Sequence, residues 1–72
     1  MHRVKINLVT MEDVKNFVKI VSTIPGRISI TDNSNYICNA KSILGCLAAM
    51  EWDEMYVESE EDIYHRLEMF AE

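Results

Sequence analysis

The chain has 72 residues, 7 Lys plus Arg against 12 Asp plus Glu, and a formal net charge of −5. Hydrophobic residues make up 49%, with 2 Gly and 1 Pro, which describes one folded domain over 1–72 and excludes a disordered or collagen-like chain. No apolar run approaches the roughly 18 residues that span a bilayer, and Met1-His2-Arg3-Val4-Lys5 is not followed by a signal-peptide core, so a cytoplasmic location without membrane contact is expected.

Val4, Ile6 and Leu8 alternate with Arg3, Lys5 and Asn7, the period of a strand with one buried face. Thr10 then precedes a helix whose Val14, Phe17, Val18 and Val21 share one face, and Thr10 with Asp13 forms a capping box at its start. Pro25-Gly26 ends that segment. Ile28 and Ile30 mark a second strand, Asp32-Asn33-Ser34-Asn35 a polar turn, and Tyr36-Ile37-Cys38 a short third strand.

Ser42 caps a second helix from Ile43 to about Met50, with Ile43, Cys46, Leu47 and Met50 toward the sheet and Leu44, Ala48 and Trp52 partly exposed. Asp53 to Glu58 alternates as a fourth strand, with Met55 and Val57 on the buried side. Ser59 and Asp62 repeat the cap pattern before a third helix carrying Ile63, Leu67 and Phe70 on one face. The expected fold is α+β, in the order β-α-β-β-α-β-α. Its four-stranded antiparallel sheet is covered on one face by three helices, with Arg3, Lys5, Ser29, Thr31, Glu54 and Glu58 on the open face. Periodicity leaves two architectures open: the open-faced β-sandwich, with strand order 1-4-2-3, and the ferredoxin-like fold, with order 4-1-3-2.

Chemistry-bearing residues are sparse. Cys38 and Cys46 lie eight apart and form no metal-binding pair, so two reduced, largely buried thiols and no metal are expected. His2 and His65 read as ordinary surface residues. Residues 1–41 carry a net +3 and residues 42–72 a net −8, and the acidic total disfavours nucleic-acid binding. The eight residues Ile43 to Met50 contain no polar side chain, so part of that helix is left as an apolar surface fit for a protein partner or a homodimer contact.

Ala40-Lys41-Ser42-Ile43-Leu44-Gly45, some 25 residues after Phe17-Val18-Lys19, resembles the regulatory-serine segment of HPr, the histidine-containing phosphocarrier family of the bacterial sugar phosphotransferase system. The resemblance covers almost the whole chain and implies the open-faced β-sandwich. It also implies a phosphoryl-accepting histidine before the first helix, in a His-x-Arg-Pro motif. In this chain those four positions hold Thr10, Met11, Glu12 and Asp13. A threonine phosphoester lacks the transfer potential of a phosphoramidate. Glu12 and Asp13 moreover put two carboxylates where an anion would need donors and positive charge.

The chain is therefore expected to have no catalytic residue, no enzymatic activity and no cofactor. It is expected to act as a binding or regulatory module linked to the phosphotransferase system. The resemblance further implies Ser42 as a candidate for regulatory phosphorylation, beside Lys41. It implies partner docking through the first two helices, with Lys41, Ile43, Leu44, Leu47 and Ala48, to a transcription regulator or a phosphotransferase component. A branch associated with carbon-catabolite repression is similar in outline: it lacks the carrier histidine and retains the serine. Two alternatives stay open, a working phosphocarrier that uses another residue and a ferredoxin-like ligand-sensing or assembly domain.

Overall fold

The computed structural model describes residues 1–72. Four strands, β1 (His2–Lys5), β2 (Ile28–Thr31), β3 (Ile37–Asn39) and β4 (Tyr56–Ser59), form one antiparallel sheet in the order β1-β4-β2-β3. The 4-1-3-2 order of the ferredoxin-like alternative is not found. The helices are α1 (Met11–Ser22) and α2 (Ile43–Ala49).

The register explains the two faces. Val4, Val57, Ile30 and Cys38 stand opposite one another in a row across all four strands, on the helix-covered side. The flanking rows, Arg3-Glu58-Ser29-Asn39 and Lys5-Tyr56-Thr31-Ile37, point to the open side because successive side chains alternate. Seventeen buried apolar side chains form the core, among them Val14, Phe17, Val18 and Val21 from α1 and Cys46 and Ala49 from α2. Phe17 meets Phe70 edge to face, with ring centroids 5.7 Å apart.

One open-face position departs from expectation. Thr31 faces the open side yet is buried. The β2–β3 turn folds over it, and its hydroxyl donates to the Tyr36 carbonyl at 2.9 Å and accepts from the Asn33 amide at 3.1 Å. Arg3 is clamped: its Nε donates to Glu58 Oε2 at 3.0 Å, it also reaches Asn33 Oδ1, and it lies over the Tyr56 ring.

The expected third helix is not formed. Tyr64–Arg66 and Glu68–Phe70 are two 3-10 turns broken at Leu67, whose φ of −116° and ψ of 8° lie outside the helical range. The reason lies just beyond them. Ala71 is extended and bridges Ile6, the Asn7 amide donates to the Phe70 carbonyl at 2.8 Å, and the Glu72 amide donates to the Lys5 carbonyl at 3.0 Å. A continuous helix would hold Ala71 away from that edge. Ile63, Leu67 and Phe70 still enter the core, as their spacing predicts. Ser59 does not cap this segment; it is buried, and its hydroxyl donates to the Glu61 carbonyl.

Small residues bring α2 close to the sheet. A Cβ on Gly45 would stand 3.2 Å from the Cys38 Cβ and 3.3 Å from the Asn39 carbonyl oxygen. The helix turns Gly45, Cys46 and Ala49 inward, and this rolls Ile43 outward to 45% exposure, contrary to its expected place against the sheet. Leu47 and Met50 are half-buried. Gly45→Val should force α2 off β3 and lower stability by about 1–3 kcal/mol in urea denaturation. An unchanged midpoint would mean that the close approach carries no constraint.

Candidate functional site

The residues singled out by the sequence fall at the N-termini of α1 and α2. At α1, Thr10 is extended (φ −117°, ψ 165°), and its hydroxyl accepts the Asp13 amide at 3.1 Å. Asp13 answers with one carboxylate oxygen, Oδ2, which accepts the Val9 amide at 3.0 Å and the Thr10 amide at 3.2 Å. The capping box read from Thr10 and Asp13 is thus present in full: of the helix's orphan amides it binds those of Thr10 and Asp13, together with that of Val9 just before the cap, and puts a carboxylate at this helix end. The Val9 amide bond first, then the Thr10 amide bond, holds the Asp13 carboxyl below its ordinary value of 3.8. Glu12 adds a second acid to the same first turn, while Val9 and Met11 expose apolar side chains beside it. This end of α1 carries two carboxylates and is capped from within the chain.

At α2, the Ser42 hydroxyl accepts the Gly45 amide at 3.2 Å, and Ser42 itself is half-buried. Lys41 does not stand free beside it. Its ammonium donates to the Ile24 carbonyl at 2.6 Å and to the Gly26 carbonyl at 2.9 Å, tying the start of α2 to the turn after α1. In the unmodified protein Lys41 is held by these two bonds, although it precedes Ser42 directly in sequence. Nothing in the run Ala40-Lys41-Ser42 signals them, because the two carbonyls lie 15 and 17 residues upstream.

α1 and α2 pack against each other over the same side of the sheet. On α2, Leu44 is 80% exposed, Ile43 and Ala48 are exposed and Leu47 is half-buried, as is Lys41 just before the helix. The five residues proposed for docking are thus accessible to different degrees, Leu44 most of all.

His2 lies in β1 and His65 in the first 3-10 turn, both exposed and neither at the start of an α-helix. Cys38 and Cys46 are free thiols, the first half-buried and the second buried. Burial, followed by the neighbouring Cys38, pushes the Cys46 thiol up to about 11, so it stays protonated at neutral pH. No cluster of three or more metal-ligating side chains occurs, and no helix is long and apolar enough to cross a membrane. Sequence reasoning missed the stacking of Tyr36 on Trp52, with centroids 5.9 Å apart; the fifteen residues between them give no local signal for it.

No protein-family model matches the chain, and the searches of curated proteins and of solved structures likewise find no match.

The depressed Asp13 carboxyl carries a pH signature. Its bonds to the backbone amides stabilise the fold above the ordinary carboxylate range, and this contribution is lost as pH falls through the lowered folded value. Asp13→Ala should lower the melting temperature at pH 7, and the gap to the parent protein should narrow as pH falls below the ordinary carboxylate range. A gap independent of pH would show that ionised Asp13 is not the group at work.

Proposed function

We propose that this protein is an HPr-like module that does not relay phosphate and acts by binding, in a regulatory role linked to the sugar phosphotransferase system. The observation that carries the reading is the state of the α1 N-terminus. In this reading Thr10 takes the position of the family's histidine, and two carboxylates, Glu12 and Asp13, occupy the first turn, with Asp13 and Thr10 bonding the amides of Val9, Thr10 and Asp13. The strand order β1-β4-β2-β3 supports the open-faced β-sandwich over the ferredoxin-like alternative. The third helix of that architecture is replaced here by the two 3-10 turns. The binding surface in this reading is the exposed apolar side of α2, led by Leu44, together with Val9 and Met11 at the start of α1. The partner class is a transcription regulator or a phosphotransferase component.

Incubation with Enzyme I and labelled phosphoenolpyruvate should leave this protein unlabelled while a conventional HPr is labelled. Phosphate transferred to any residue would defeat the proposal.

Ser42 is the regulatory position in this reading, and its cap geometry sets a condition. A phosphate on its oxygen would have to replace the bond to the Gly45 amide with a charge-assisted one, at a site whose nearest lysine in sequence is engaged elsewhere. A Gram-positive HPr kinase should add one phosphate at Ser42, and Ser42→Asp should alter binding to the partner. No modification and unchanged binding would leave Ser42 as a cap alone. Ser42→Ala would then cost only the roughly 0.5–2 kcal/mol of a lost cap.

A further inference from the structure

The two edges of the sheet are treated differently. At the outer edge of β1, Ala71 bridges Ile6, bonds join Asn7 to Phe70 and Glu72 to Lys5, and the strand carries two cations, Arg3 and Lys5. At the opposite edge β3 has none of these protections. Ile37-Cys38-Asn39 contains no charge and no proline, and Ile37 and Tyr36 are 64% and 62% exposed. A bare apolar edge of this kind is a template for another strand.

Its free backbone groups can be assigned. The Ala40 amide bonds the Ile28 carbonyl and the Tyr36 carbonyl accepts the Asp32 amide, so even-numbered positions of β3 turn toward β2. Ile37 and Asn39 therefore turn outward. The Asn39 carbonyl is taken by the Ser42 amide at 3.1 Å. This leaves both backbone groups of Ile37 and the Asn39 amide unpaired along the edge.

The ends of β3 carry opposite charge. At the Asn39 end, one hollow is lined by Arg27 and Lys41 together with Ile37 and Asn39. Arg27 makes no salt bridge. At the Tyr36 end, a second hollow is lined by Asp32, Glu51, Asp53 and Glu54 with Trp52, on which Tyr36 stacks. A strand that is basic at one end and acidic at the other is complementary to a copy of itself laid antiparallel.

We propose that β3 pairs antiparallel with β3 of a second copy about a two-fold axis at Ile37, joining two four-stranded sheets into one of eight strands. Each Ile37 amide donates to the second copy's Ile37 carbonyl, and the two Ile37 side chains meet on the open face. The same axis lays the acidic end of each β3 beside the basic end of the other. The contact is isologous, so it closes at two copies. It uses the sheet edge and leaves the apolar side of α2 free, and it does not depend on the reading of Thr10.

Sedimentation velocity over a range of protein concentrations tests this, with circular dichroism to check that each variant is folded. The parent protein should pass from monomer to dimer as concentration rises, and added salt should shift the transition to higher concentration. Ile37→Lys places two cations face to face on the axis and should weaken dimerisation about tenfold or more. Arg27→Glu should weaken it through the ends, whereas Leu44→Lys should leave it unchanged. A protein that stays monomeric up to millimolar concentration would overturn the proposal. So would a dimer broken by Leu44→Lys and indifferent to Ile37→Lys.

Discussion

A single row of side chains across the sheet carries both helices. Val4, Val57, Ile30 and Cys38 stand side by side on four strands, and α1 and α2 lie over that side. A chain of this length buries only about 60% of its unfolded surface. It cannot spread its apolar groups over two faces, and the other side of the sheet is left to Arg3, Glu58, Lys5 and Tyr56. The close approach at Gly45 follows from the same constraint. With few large side chains on α2, contact with the sheet requires the helix backbone itself to come near.

The electrostatics of α1 follow from how its first turn is satisfied. A helix N-terminus presents unpaired amides and a partial positive charge, which suits it to bind an anion. Here Thr10 and Asp13 supply the acceptors from within the chain and Glu12 adds further negative charge. The arrangement strengthens the helix and sets two carboxylates where an incoming anion would have to sit. Cap and anion compete for the Asp13 amide, and in this molecule the Thr10 hydroxyl has it. The exposed side chains of Val9, Met11 and Leu44 lie on the surface that the proposed function assigns to a partner.

Much of this was legible in the residues. The alternation around Val4, Ile30 and Val57 and the helical spacing of Val14, Phe17, Val18 and Val21 place three of the four strands and α1, because those patterns depend only on neighbours in sequence. Thr10 and Asp13 are equally local, and their capping box forms as read. The departures are all long-range. Ile63, Leu67 and Phe70 have a spacing that serves a helix or two consecutive 3-10 turns alike, and the choice is made by pairing with Ile6 and Asn7 far upstream. Ile43 turns outward because Gly45 meets Cys38 and Asn39. Thr31 is buried by a turn that folds back on it, and Lys41 is drawn to carbonyls of the preceding connection. The family-level fold and function remain a proposal resting on resemblance and strand order, since neither is a local property.

The place of β4 has a consequence for how the molecule is made. Its partners β1 and β2 are not neighbours without it, and it follows them by some 50 and 25 residues of chain. During synthesis α1 and the β2–β3 hairpin can form early, but the slot between β1 and β2 stays open until Tyr56–Ser59 has cleared the ribosome. Until then the nascent chain displays two raw strand edges that the finished protein conceals. A chain that has not yet placed β4 therefore offers those edges to other chains and to chaperones.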